Sequence, residues 1–192
     1  PKTSGGAMWD VIAIYGAGLR QVPTAGAGSP PEAYATSLVK RIQRNVKVMD
    51  KSGRESVTTF ERGIGDVIVT YENELLPRIK IGRPYELIVP ADTLIIENPV
   101  ALIDKNADRH KVRDLAEAFV EFLSGQEAQK AFINAGFRPL TSSDVSTSAA
   151  GASRPAPLFT MKDLGGWDHI EPLVFGPQGA WTKAVEEIAR GK

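Results

Sequence analysis

Apolar positions recur at helical spacing in several stretches and alternate or cluster in short runs between them. This change of period predicts an α/β fold. Trp9, Ile12, Ala13, Gly16 and Leu19 share one stripe and predict a helix over Gly6–Leu19, with Ser4 ahead of it as N-cap. Pro23–Pro31, rich in Pro, Gly and Ala, reads as a loop. A second helix is predicted over Pro31–Arg44, with Pro31 in its first turn and Tyr34, Leu38, Val39 and Ile42 on its apolar face. Val46–Met49 alternates as a short strand, Asp50–Glu55 is a turn, and Ser56–Arg62 is a short helix. Asp66–Tyr71, Tyr85–Val89, Thr93–Ile96 and Val100–Ile103 read as strands. Pro77 is expected to end the helix that follows Glu72. The clearest amphipathic helix spans Arg109–Ser124, with Val112, Leu115, Ala116, Phe119 and Leu123 on one stripe and Gly125 as its stop. Gln126–Ala135 is another helix, ended by Gly136. Leu140–Pro157 reads as a surface connection. Phe159–Lys192 returns to helix, broken at Gly165-Gly166-Trp167.

A chain of 192 residues suits one large domain or a smaller one with an appendage. Lys plus Arg and Asp plus Glu are 23 each, so the balance gives no electrostatic footprint for nucleic acid or an anionic membrane. No apolar run approaches the roughly 18 residues of a membrane-spanning helix. With no cysteine, disulfides, thiolate catalysis and Cys-based metal sites are excluded. His110 and His169 lie far apart, so no metal site is expected, and no cofactor.

Thr3-Ser4-Gly5-Gly6 is the most informative local feature. Two glycines behind a serine, opening a helix, leave bare N–H groups at the positive end of the helix dipole, where oxyanions bind. The same residues also suit an ordinary Ser-capped start. Ser52-Gly53-Arg54-Glu55-Ser56 has the same two readings: an anion-binding turn or a plain connection. Tyr71 and Trp9 could line a cavity or pack in the core. Asp66 and Glu72 flank a strand, and a solvated or structural role suits them better than paired catalysis. Arg109-His110-Lys111 and Lys40-Arg41 read as solvated helix faces. There is no G-x-S-x-G elbow and no convergent nucleophile, base and orienter, so an enzyme is not expected.

Several stretches in register resemble one family. Pro1-Lys2-Thr3-Ser4-Gly5-Gly6-Ala7, with Trp9 after it, is similar to a P-K-[ST]-S-G-G-A-x-W pattern. Thr58-Thr59-Phe60-Glu61-Arg62-Gly63-Ile64-Gly65-Asp66-Val67 and Tyr71-Glu72-Asn73-Glu74 resemble its next stretch. The likeness continues through Asn98-Pro99-Val100, Phe137-Arg138-Pro139, Leu158-Phe159-Thr160 and Gly165-Gly166-Trp167. The family is the sulfate- and thiosulfate-binding proteins of bacterial ABC importers, which are type II periplasmic binding proteins. The resemblance implies an α/β fold of that type, with one complete lobe plus the returning part of the other. Residues 1–88 would form the second lobe with half of the anion site, 89–158 the crossover and return, and 159–192 a helical tail. The family's N-terminal portion, with its export signal, would precede Pro1, and the mature protein would be periplasmic. An incomplete first-lobe sheet would expose an edge and invite a swapped or intertwined homodimer.

The resemblance further implies a solute-binding component that captures sulfate or thiosulfate between lobes and delivers it to a membrane permease. Ser4 matches a hydroxyl donor, Gly5 and Gly6 match backbone donors, and Gly53 matches a donor on the second turn. Tyr71 stands where the family usually has Trp, and a phenol can accept as well as donate. A site made only of donors disfavours a protonated anion, because a buried unpaired group costs about 1–3 kcal/mol. Asp50 near the second turn could accept a proton and so favour phosphate. Phosphate and molybdate are therefore rival ligands. A cytoplasmic ligand-sensing domain of a transcription regulator is the rival role.

Overall fold

The protein is described by a computed structural model over residues 4–21, 30–140 and 158–191. The loop expected over Pro23–Pro31 and the connection expected over Leu140–Pro157 lie, apart from their ends, outside the described residues. Along the chain come α1 (Gly5–Arg20), α2 (Pro31–Gln43), α3 (Gly53–Glu61), α4 (Glu72–Lys80), β1 (Thr93–Leu94), α5 (Asp104–His110), α6 (Arg113–Ser124), α7 (Gln126–Asn134), β2 (Leu158–Phe159), a 3-10 turn (Lys162–Leu164), α8 (Trp167–Phe175) and α9 (Ala180–Ala189).

Two compact units emerge. One gathers Pro1–Tyr71, Ile88–Ile96 and Arg154–Lys192, and the other Glu72–Leu87 and Glu97–Ser153. The chain thus passes between the units after Tyr71, Leu87, Ile96 and Ser153. The tail helices join the first unit because their apolar faces complete its core: Ile170, Val174, Phe175, Ala180 and Ala184 cluster with Ile12, Tyr15, Ala35, Val39, Leu94 and Phe159.

Glycine sets the spacing inside that unit. A Cβ on Gly18 would stand 2.6 Å from Ala35 Cα, so α1 and α2 cross nearly backbone to backbone. A Cβ on Gly16 would stand 2.5 Å from the Phe159 ring, which fills that gap. The Arg20 guanidinium lies 5.3 Å from the centre of the same ring. At the far side of α2, Lys40 pairs with Glu187, and Trp181 Nε1 donates to Gln43 Oε1 at 3.2 Å.

The strands depart most from expectation. Among the described residues the one ladder is parallel and two residues deep, Thr93 opposite Leu158 and Leu94 opposite Phe159. Val46–Met49, Asp66–Tyr71, Tyr85–Val89 and Val100–Ile103 form no strand. A strand exists only within a hydrogen-bonded ladder, and none of these segments joins a ladder with a described residue, so side chains such as Val67 (83% exposed) remain in solvent.

In the second unit α4 runs through Pro77 instead of ending there. Proline forfeits the bond its N–H would make to the Asn73 carbonyl, yet the ring packs against the turn at Gly136. A Cβ on Gly136 (φ +89°) would lie 3.0 Å from Asn73 Cα and 3.4 Å from Pro77 Cδ. The expected Arg109–Ser124 helix is two helices. Lys111 turns left-handed (φ 53°), and Val112 N–H bonds back to the Ala107 carbonyl at 3.0 Å, which closes α5. Arg113 then spans the corner, reaching Asp108 at 2.7 Å and Asp104 at 2.8 Å.

Candidate functional site

The start of α1 is capped from within. Ser4 is extended, and its Oγ accepts from Ala7 N–H at 3.4 Å. Met8 N–H closes the first helical bond on the Ser4 carbonyl at 3.1 Å. Gly5 and Gly6 therefore retain N–H groups with no acceptor among the described residues. The Ser4 hydroxyl, having accepted one bond, still has a hydrogen to give.

The start of α3 repeats this chemistry. Ser52 is extended and its Oγ accepts from Glu55 N–H at 3.2 Å, while Glu55 Oε2 accepts from Lys51 N–H at 3.0 Å. This is close to a capping box. Ser56 N–H bonds the Ser52 carbonyl at 3.0 Å, which leaves the N–H groups of Gly53 and Arg54 without an acceptor among the described residues.

Both starts open onto one cavity of the first unit. Ser4, Gly6, Ala7 and Asp10 line it from α1, Asp50, Ser52, Gly53 and Ser56 from α3 and its approach, and Val69, Thr70 and Tyr71 from the following segment. It is a small hollow that opens to solvent. Among the described residues the lining holds no lysine, arginine or histidine. What faces it are hydroxyls, backbone donors and the positive ends of two helix dipoles, groups suited to an anion. Thr70 Oγ1 is buried there and has no hydrogen-bond partner among the described residues, an arrangement that a native structure ordinarily explains by a ligand or water.

Position 6 is closely packed. A Cβ there would lie 3.2 Å from the Tyr71 hydroxyl, so the phenol sits directly against the helix start. Burial raises the Tyr71 pKa above its ordinary value, and the charge of Asp10 raises it further. Asp10 itself is pushed up to about 7 by burial. Asp50 accepts from the Thr59 hydroxyl at 2.9 Å.

Of the residues singled out from sequence, Ser4, Gly6, Gly53 and Tyr71 line the cavity, whereas Gly5 does not. Trp9 makes an edge-on pair with Trp167, centroids 4.7 Å apart, and stays out of the cavity. Glu72 is held by Arg138 at 2.6 and 2.8 Å in the second unit. Sequence reasoning missed Asp10 and Thr70. A signal for Asp10 was present: it follows Gly6 by four residues, which is same-face helical spacing. Among the described residues no group of three or more His, Asp or Glu could hold a metal ion, and no helix is long and apolar enough to cross a membrane.

Residues 1–138 match the family described as bacterial extracellular solute-binding protein. The chain belongs to that family. Among its relatives, a sulfate-binding protein of Synechococcus elongatus is 36% identical over 100% of this chain and 53% of its own. A thiosulfate-binding protein of Escherichia coli is 29% identical over 96% of this chain and 54% of its own. The solved structure of the sulfate-binding protein SubI from Mycobacterium tuberculosis H37Rv aligns with TM-score 0.68 and 31% identity, over 88% of this chain and 55% of that one. The chain thus carries part of the α/β periplasmic-binding fold. It spans about half the length of the curated relatives it matches.

Proposed function

We propose that the cavity between the starts of α1 and α3 is one face of an oxyanion site, and that its ligand is sulfate or thiosulfate. The observation that carries this reading is the convergence of two Ser-capped helix starts, with spare N–H donors, on a cavity whose described lining holds no cationic side chain. The names of the relatives support the choice of anion. Ser4 donates its hydroxyl hydrogen, the N–H groups of Gly5, Gly6 and Gly53 point the helix dipoles at the anion, and the Tyr71 hydroxyl closes one side. A dianion held this way needs no counter-charge, because the donors are fixed in place before it arrives. Further donors come from the portion of the relatives that this chain does not span. The full protein works in the periplasm and delivers the anion to a permease of an ABC importer. An incomplete lobe is also the basis for the proposed intertwined homodimer.

The test is calorimetric titration of sulfate into the chain, with thiosulfate, molybdate and phosphate as parallel titrants. Sulfate or thiosulfate is expected to bind tightest. Ser4→Ala is expected to weaken it about ten- to a hundredfold, the loss of a hydrogen bond to a charged group. An unchanged Kd in Ser4→Ala overturns the assigned donor. A second reading has an observation of its own: Asp10 and Asp50 both line the cavity, and a carboxylate can accept the proton of a hydrogen-bearing oxyanion such as hydrogen phosphate. Phosphate binding more tightly than sulfate would establish that reading instead.

A further inference from the structure

A carboxyl group in a cavity built to attract anions needs an explanation. Asp10 lines the cavity one helical turn after Gly6, and no hydrogen bond or ion pair to a described residue holds it. The titratable groups lining the cavity with it are Asp50, before α3, and Tyr71, on the segment after it. Asp50 is engaged by the Thr59 hydroxyl at 2.9 Å, and Tyr71 stays neutral in ordinary buffers. Among the described residues no cation lines the cavity to balance an ionised Asp10. A dianion entering the same space would meet that negative charge at short range in a poorly solvated setting, where like charges interact strongly.

We propose that Asp10 makes anion capture proton-linked: a proton-free oxyanion held by the two helix starts enters only with a proton on the Asp10 carboxyl. This rests on the oxyanion reading above. The balance is simple. The anion keeps its charge, the Asp10 carboxylate takes one proton from solvent, and the resulting O–H becomes a further donor facing the cavity. Asp10 is then a specificity-determining residue. It penalises sulfate as pH rises, whereas an anion that brings its own proton escapes the penalty.

The sign follows from linkage. Free Asp10 loses its proton around pH 7, because burial raises it from its ordinary value of 3.8. Below that pH the site is already protonated and binding takes up little. Above it each binding event takes up close to one proton, and affinity falls. Sulfate affinity is expected to be about tenfold weaker at pH 8 than at pH 6 in the wild-type chain, and constant within about twofold in Asp10→Asn.

The experiment is titration calorimetry of sulfate at both pH values, repeated in two buffers of different ionisation enthalpy to count protons. The count needs no variant, so it stands even if Asp10→Asn misfolds. Net uptake approaching one proton at pH 8, lost in Asp10→Asn, supports the proposal. Sulfate binding with equal affinity and no uptake at both pH values overturns the proton link and leaves the oxyanion site standing. No sulfate binding at either pH overturns both.

Discussion

In the first unit α1 buries Ile12, Tyr15, Gly16 and Gly18, and its stripe meets α2, α8 and the short sheet. In the second unit α6 has an even cleaner stripe, yet none of its twelve residues is buried. Leu115 is 72% exposed, Phe119 58% and Phe122 48%, whereas Ile12 and Phe159 are fully enclosed. An amphipathic pattern states that a helix needs a partner; it does not supply one. In the first unit the partner arrives from the far end of the chain, through α8, α9 and Phe159. For α6, the described neighbours α5 and α7 leave Leu115, Phe119 and Phe122 exposed. The site lies in the unit whose helices are fixed, as a preorganised anion cavity requires.

The sharpest break of this comparison is Phe159→Ala, which removes a fully enclosed ring from between α1 and the core. It is expected to cost about 3–5 kcal/mol, read as a fall in the denaturation midpoint. Next comes Gly18→Ala, whose methyl would lie 2.6 Å from the Ala35 backbone. Pushing α2 from α1 is expected to cost about 1–3 kcal/mol in urea unfolding. The smallest effect is predicted in the other unit: Phe119→Ser should change stability by less than about 0.5 kcal/mol, because the ring is already in solvent. A large loss there would show that α6 is covered in solution, for instance by a second copy, which sedimentation would then detect.

Local signals read well where they were self-sufficient. The Ser4 cap, the first two helices and the stop at Gly125 depend on residues a few positions apart, and each is where its sequence places it, whereas α3 starts at Gly53 behind a Ser52 cap, ahead of the expected Ser56. The strands read poorly because pairing is not local. Asp66–Tyr71 has the composition of a strand but no neighbour, and its valines are exposed. Pro77 was misleading because Gly136, some sixty positions later, packs against the turn it would otherwise end. The α5–α6 corner was hidden by a continuous stripe: a left-handed Lys111 and the reach of Arg113 to Asp104 and Asp108 are events of the backbone, not of the hydrophobic pattern.

For the site the division is similar. By itself the sequence determined two Ser-Gly helix openings and the chemistry they offer, because a cap and a bare N–H are properties of consecutive residues. Only the tertiary structure decided that both openings face one cavity, that Tyr71 lies against Gly6, and that Asp10 is half-buried among donors with no cation in the described lining. Desolvation and convergence are properties of what surrounds a residue, and those surroundings are assembled from segments that lie far apart along the chain.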